Sequence, residues 1–510
     1  MDTKDLRDLK DETQHMESVV VDGTPLEDLD SIEQTRTGRF SWMVSITAAI
    51  GGMLFGYDTG IISAVLVYIH QDLGHTLDSS ERELITSITS GGAFVGAIFA
   101  GATADRFGRK IAIYVGCFLF TAGAILQAAA FNLALMTVGR LVVGLGVGSA
   151  AMIIPMYIAE LSPAKYRGRM IGLDNMCITG GQLVSYGVGA GFAHVRGGWR
   201  VPQAARLPRE AQGEAEKVIR KILPNGTDEQ VRMKVRHITA HVDEAKNLNA
   251  GKSQWWVLKQ LYVVPANLRA LVSACGVMAI SQLSGFNSLM YYSPLIFSLV
   301  GFDNPVAVGT IIAGTNFVFT FVNLLLVDRV GRRRIPLCTV QFMGLFLVVA
   351  AVAFKWIPIN HDLSLGAGAT VGPTAIIVLV SMVFFVGFYS SGIGNTTWLS
   401  SEFFPMEVRA MGTMMLTMTC LGSNVIVAST FLTQMENTTP SGAFGFYAAV
   451  CVLGWVSIYF CYPEVKNMTL EDIREVFAHG FGVKRARELQ KQMKSTDRKL
   501  GLVSTRGVKV

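Results

Sequence analysis

Residues 105–110 read DRFGRK, and residues 328–334 read DRVGRRR. Each block opens with Asp-Arg, places a glycine three residues after the aspartate, and fills a tight turn between two apolar runs. A second pair follows the same logic. ELSPAKYRGR (160–169) returns as EFFPMEVRAM (402–411), with a proline three residues and an arginine seven residues after the glutamate in both copies. Paired blocks at corresponding positions of two hydrophobic halves point to a duplicated helix bundle with its site between the halves.

The bulk composition fits. Of 510 residues, 51% are hydrophobic and 16% charged, and the mean hydropathy is +0.41. A soluble chain of this length carries more surface charge. Here the apolar residues gather in runs long enough to cross about 30 Å of hydrocarbon. The expected fold class is an all-α polytopic membrane protein. The polar, acidic start lacks a basic-then-apolar leader, so the first span is expected to act as the insertion signal. Net charge of +6 gathers in short loops and the C-terminal tail, where it reads as a topology signal rather than nucleic-acid binding. The seven cysteines lie mostly inside apolar runs without metal-ligand spacing, and no metal or cofactor is expected.

Eleven spans are expected, near 40–69, 84–104, 111–131, 133–158, 171–193, 268–299, 306–327, 335–356, 372–399, 410–434 and 441–462. They divide the chain into an acidic tail (1–39), an N-terminal bundle with five recognisable spans (40–200), a cytosolic linker with amphipathic helices (201–267), a six-helix C-terminal bundle (268–462) and a basic tail (463–510). The tail, Lys484 to Lys499, reads as a solvated positive-inside segment. Basic short loops face the cytosol, so 105–110 and 328–334 belong on one side and need an even number of crossings between them. Five are counted. The deficit falls on GGWRVPQAARLPRE (197–210), which carries three arginines and two prolines where a sixth span is due. Either the second half inserts upside down, which exposes Asn225 of an NGT sequon to glycosylation, or a weakly apolar segment is dragged across. Local charge bias favours dragging.

The motifs GYDTGIISA (56–64), DRFGRK, GRLVVGLGVG (139–148), ELSPAKYRGR, GGQLVSY (180–186), QLSGFNSLMYYSP (282–294), DRVGRRR and PEVKNMTLEDI (463–473) occur in this order. Together they resemble the sugar porter family of the major facilitator superfamily, most closely its fungal proton-coupled myo-inositol transporters. The resemblance implies two pseudo-symmetric six-helix bundles rocking around a central polyol site. It breaks at 201–213, where the family's sixth span and following motif are replaced; a splice variant or gene-model product would explain the gap.

Asp58 interrupts the first span and Arg140 the fourth. An ionised side chain in hydrocarbon is by default a functional candidate, and helix geometry sets both in the outer half of the bilayer, where they can pair. Protonating Asp58 would release Arg140, the minimum needed for proton coupling. The resemblance implies the same, because proton-driven members carry an acid at this position. A hydroxyl-rich substrate needs uncharged groups that both donate and accept. Gln182, Gln282, Asn287, Asn316 and Asn424 are the candidates, with Tyr291, Tyr292 and Trp398 offering apolar faces with polar tips. By resemblance all five amides sit at family binding positions. Ser281 and Val425 depart from residues common among hexose carriers, which leaves an inositol-like ring. Asp105, Arg109, Glu160, Arg167, Arg169, Asp328, Arg332, Glu402 and Arg409 are candidate gating ion pairs at the cytosolic face, the alternative being simple positive-inside anchoring. The glycines of the fourth span read as helix-packing positions rather than a nucleotide loop.

The leading expectation is a monomeric, multi-pass plasma-membrane carrier, with polyol or sugar, protons and the lipid bilayer as its partners. It is not expected to be an enzyme. A facilitative hexose carrier, a non-transporting sensor and a non-functional splice product of the same fold are the alternatives.

Overall fold

The computed structural model describes residues 39–69, 73–107, 109–161, 167–191, 254–357, 372–405, 407–466, 468, 470–478 and 480–499. These residues are helical nearly throughout, and no strand occurs among them. The N-terminal half contains α1 (Arg39–Tyr68), α2 (Ser79–Phe107), α3 (Arg109–Ala128), α4 (Leu133–Leu161) and α5 (Arg167–Gly191). The second half begins with α6 (Gln254–Val263) and α7 (Pro265–Leu283), followed by α8 (Phe286–Leu299), α9 (Pro305–Val330), α10 (Arg334–Phe354), α11 (Pro373–Ser391) and α12 (Ile393–Thr396). A 3-10 turn (Thr397–Phe403) leads to α13 (Arg409–Cys461), α14 (Leu470–Ala478) and α15 (Val483–Lys499). Nine helical segments among the described residues are long and apolar enough to cross a membrane.

Local chemistry sets the boundaries. Pro265, Pro305 and Pro373 open α7, α9 and α11 at the first turn, where the missing N–H costs nothing. The run expected as one span over 268–299 is broken at its centre. Gly285 takes a left-handed φ of 84°, separating α7 from α8, with Gln282 and Asn287 flanking the break. The expected span over 372–399 likewise ends early, at Ser391, and unwinds through α12 into the 3-10 turn that carries Trp398. Conversely, the expected spans over 410–434 and 441–462 run together as α13, bent at Thr439, whose φ is 69°, just before Pro440. The two arms fold back on each other. The Phe431 and Tyr447 rings lie 5.8 Å apart, whereas sixteen residues of straight helix would separate them by about 24 Å.

Close helix packing follows small residues. A Cβ on Gly92 or Gly96 of α2 would overlap the α4 main chain at Leu141 and Leu145, and one on Gly148 would overlap Ala93. These glycines let the backbones of α2 and α4 approach closely. The outward faces are apolar and exposed, as at Phe99, Phe118, Leu453 and Phe460, which suits lipid rather than water.

Side-chain contacts fix the helix directions. Gly52, Gly56 and Gly60 of α1 meet Asp174, Ile178 and Gln182 of α5 in the same order, so these helices run parallel. Gly172 meets Leu324, and Asn316 binds Gln182, so α9 runs against α5. Tyr186 of α5 touches Ser293, and Gly309 of α9 touches Pro294, which gives α7–α8 the direction of α5. The end of α5 and the start of α7 therefore lie on opposite faces. The end of α2 and the turn at 331 fall on one face. This is the arrangement of two halves in the same orientation, not the inverted one. Asn225 and the 201–213 replacement lie outside the described residues.

The basic tail after Pro463, of which Lys484 to Lys499 was expected as a solvated segment, carries two helices with residues packed on the bundle. Phe477 is buried, and Arg269 of α7 donates to the carbonyls of Phe477 (3.1 Å) and Ala478 (2.8 Å). In α15, Ala486 is buried and Gln490 donates to the carbonyl of Glu464.

Candidate functional site

The charged pair lies between α1 and α4. Arg140 Nη1 donates to both Asp58 oxygens, at 3.0 and 3.1 Å, and Nε donates to the Ile85 carbonyl of α2 at 3.3 Å. The side chains are 1% and 4% exposed. Such a pair survives desolvation only with good geometry and further hydrogen bonds, and both are present.

The amides sit at the seam between the halves. Asn316 of α9 donates to Gln182 Oε1 of α5 at 2.7 Å and accepts from Ser390 of α11 at 2.6 Å. Asn424 of α13 donates to Ser90 of α2 at 3.1 Å and to the Tyr291 hydroxyl of α8 at 3.2 Å, while its Oδ1 accepts nothing. Asn287 donates to Gln282 across the α7–α8 break. Gln182, Gln282, Asn316 and Asn424 are all buried. Tyr291 lies within electrostatic reach of Asp58 and Arg140, so it joins the charged pair to the amide seam.

Tyr292 is placed differently. Its ring stacks on Phe431 at 5.6 Å and its hydroxyl donates to the Ala428 carbonyl of α13. It is fully buried in that packing, because α8 turns successive side chains to different neighbours. Trp398 lines a small cleft with Asn175, Thr320, Asn323 and Asn395. Asn395 donates to the Ser390 carbonyl, and Asn323 to that of Ser391.

Toward the outer end, Glu83 of α2 accepts from the Thr433 main-chain N–H at 2.9 Å and its hydroxyl at 2.7 Å. Ser79 donates to Glu436. These contacts close the α2–α13 seam. At the inner end, Arg332 pairs with Glu402. Arg409 Nε donates to the Phe404 carbonyl at 3.2 Å. Glu464, quoted above in the PEVKNMTLEDI motif without a role, accepts from the main-chain N–H groups of Arg332 (3.1 Å) and Arg333 (2.9 Å). Gly331 makes that cradle possible. Its φ is 109°, and a Cβ there would stand 2.6 Å from Glu464 Oε2. Burial lowers the Arg333 guanidinium from its ordinary value and pushes the Tyr462 phenol up to about 12. The side chains of Asp105, Arg109, Glu160, Arg167, Arg169 and Asp328 lie outside the described residues.

The inter-half contacts of Glu83, Ser90, Tyr186 and Thr433 escaped the sequence reading. Each is a common polar residue in a helix, and the partners of Glu83 and Thr433 lie 350 positions apart. No metal-ligating cluster occurs among the described residues.

Comparison with known proteins places this geometry. The family model for sugar (and other) transporters matches residues 44–210 and 206–477. Its two pieces meet at the stretch where the sixth span was due. The chain is 41% identical over 481 residues to myo-inositol transporter 1 of Cryptococcus neoformans var. grubii, covering 90% of this chain and 85% of that one. It is 38% identical over 475 residues to myo-inositol transporter 1 of Saccharomyces cerevisiae, covering 88% and 81%. Among solved structures, the major facilitator proton:xylose symporter XylE bound to 6-bromo-6-deoxy-D-glucose aligns with a TM-score of 0.69 at 21% identity, covering 86% of this chain and 99% of that one. An inward-open form of the E. coli xylose transporter XylE gives 0.67 at 22%, with the same coverage. These likenesses show the major facilitator fold. The chain belongs to the sugar (and other) transporter family and is a multi-pass membrane transporter, not an enzyme.

Proposed function

We propose that the protein carries myo-inositol, or a closely related polyol or sugar, inward together with protons by alternating access, as a monomer in the plasma membrane. One observation carries this reading: the buried Asp58–Arg140 pair lies within electrostatic reach of Tyr291, which accepts from Asn424 at the seam between the halves. The relatives named as myo-inositol transporters favour this substrate.

The chemistry follows from exchange. In the closed form the amides satisfy one another, with Asn316 bridging Gln182 and Ser390. Ring hydroxyls both donate and accept, so a polyol replaces these contacts nearly one for one, and its net gain comes from geometry. Asn424 Oδ1, unpaired here, offers an acceptor for a hydroxyl. Protonating Asp58 removes the charge that holds Arg140 and changes the energy gap between open and closed forms. The outer contacts of Glu83 with Thr433 and Ser79 with Glu436 exist only while that side is shut, so they bias the same equilibrium. At the inner face, the Arg332–Glu402 pair and the Glu464 cradle stiffen the second half as one body.

Uptake of radiolabelled myo-inositol by cells lacking their own carrier, at two external pH values, tests the reading. Faster uptake at the more acidic value is expected. No uptake, or equal rates at both values, refutes it.

A further inference from the structure

The first half holds a second buried acid that the coupling pair does not use. Asp174 of α5 is 3% exposed, and its Oδ1 accepts no hydrogen bond. Gly52 of α1 presses against it, so that a Cβ at this glycine would overlap Oδ1. Ile178 packs on the same glycine, and Met170 clusters with Ile154 and Ile158 of α4. Leu324 of α9 packs at Gly172. The setting is a dry, apolar seam. Cys177 is the titratable neighbour on α5 itself. On α1 the nearest ionisable side chains are Tyr57 and Asp58, both further out, and on α4 they are Tyr157 and Glu160. Asp328 and Arg329 end α9, and Arg167 and Arg169 begin α5. The side chains of Glu160, Arg167, Arg169, Asp328 and Arg329 lie outside the described residues.

A carboxylate that meets no donor at Oδ1 and no counter-charge among the described side chains of such a seam is far less stable than the neutral acid. Asp58, by contrast, receives two hydrogen bonds from a guanidinium. Two acids in contrasting environments on one helix pair take different protonation states. We propose that Asp174 is a second proton-binding site, occupied in this closed form while Asp58 stands ionised against Arg140. Six residues of α1 separate Gly52 from Asp58, so the site lies about 9 Å further inward along the helix. It deepens the proton-coupled reading above, and its proton is detectable without transport, so the two readings fail separately.

Infrared spectroscopy of the purified full chain reads this proton directly. The wild type near neutral pH is expected to show the carbonyl stretch of a buried protonated carboxyl, shifted in heavy water, and Asp174→Asn to lose it. Glu83→Gln serves as a control, because among the described residues Glu83 is the other buried carboxyl without an arginine partner. A proton held only by the folded form makes stability fall as pH rises above the ordinary carboxylate range. The melting temperature of the wild type is therefore expected to drop more steeply with pH than that of Asp174→Asn. A band that survives Asp174→Asn unchanged, or disappears with Glu83→Gln instead, overturns the proposal. So does a wild type without any such band near neutral pH, a result that needs no variant to fold.

Discussion

Asp58→Asn is the sharpest probe of the coupling mechanism. The pair it breaks is 1% and 4% exposed, with one guanidinium nitrogen between two carboxylate oxygens. Removing one partner of a buried pair costs about 3–5 kcal/mol, because the other charge is left uncompensated. The penalty falls on the closed form, where Arg140 is dry, and spares any form that hydrates it. At about 1.4 kcal/mol per decade, the closed form should lose roughly two to three and a half decades of population. Replacing both groups, as in Asp58→Asn with Arg140→Met, should recover most of that stability, since well-packed neutral replacements are often tolerated. Accumulation in reconstituted vesicles separates stability from coupling. A difference of one pH unit supports about tenfold accumulation per proton carried. The wild type should approach that ratio, and neither variant should concentrate myo-inositol at all, while the double variant still exchanges labelled for unlabelled substrate. Tenfold accumulation by Asp58→Asn would refute the reasoning.

Other perturbations test separate parts of the structure. Asn316→Ala removes a side chain that bridges two halves through Gln182 and Ser390; it should weaken myo-inositol binding by about 10- to 100-fold, the worth of one or two buried hydrogen bonds, measured by equilibrium binding. Gly331→Ala meets both a φ of 109° and Glu464, and should destabilise the protein by about 1–3 kcal/mol, read as a lowered melting temperature in detergent. Glu83→Ala strands the Thr433 N–H and should loosen the outer seam, raising external labelling of a cysteine placed at Ser79. Gly56→Val drives a side chain into the Ile178 carbonyl and should abolish accumulation of folded protein, scored by size-exclusion profile.

The duplicated basic turns and the intramembrane charges were legible because they violate the local rule: an ion in an apolar run has few explanations. Asp58 and Arg140 could thus be paired from rise per residue alone. The amides were legible as candidates but not as a network, since no periodicity reveals that Asn316 reaches Gln182 or that Gln282 and Asn287 flank a left-handed glycine. Gly285 after Ser284 signals a turn only weakly when apolar residues stand on both sides. Nor does periodicity reveal that Tyr292 stacks on Phe431 and donates to the Ala428 carbonyl.

Asp174 marks the limit more sharply. It lies in RGRMIGLDNM, just inside the span expected over 171–193, where the two arginines that begin α5 drew no attention to the acid beyond them. Only the register of α1 against α5, set by Gly52, Gly56 and Gly60, shows that this stretch is already buried. Those glycines exclude side chains that would hold the helices apart, and the same closeness leaves Asp174 no room for a partner. Substituting Gly52 with alanine therefore pushes directly on the carboxyl. The smallest response is a tilt of α5 that admits water, which would let Asp174 ionise and erase the difference in pH-dependent melting between this background and its Asp174→Asn counterpart. If that difference persists in Gly52→Ala, the dry seam is not what holds the proton.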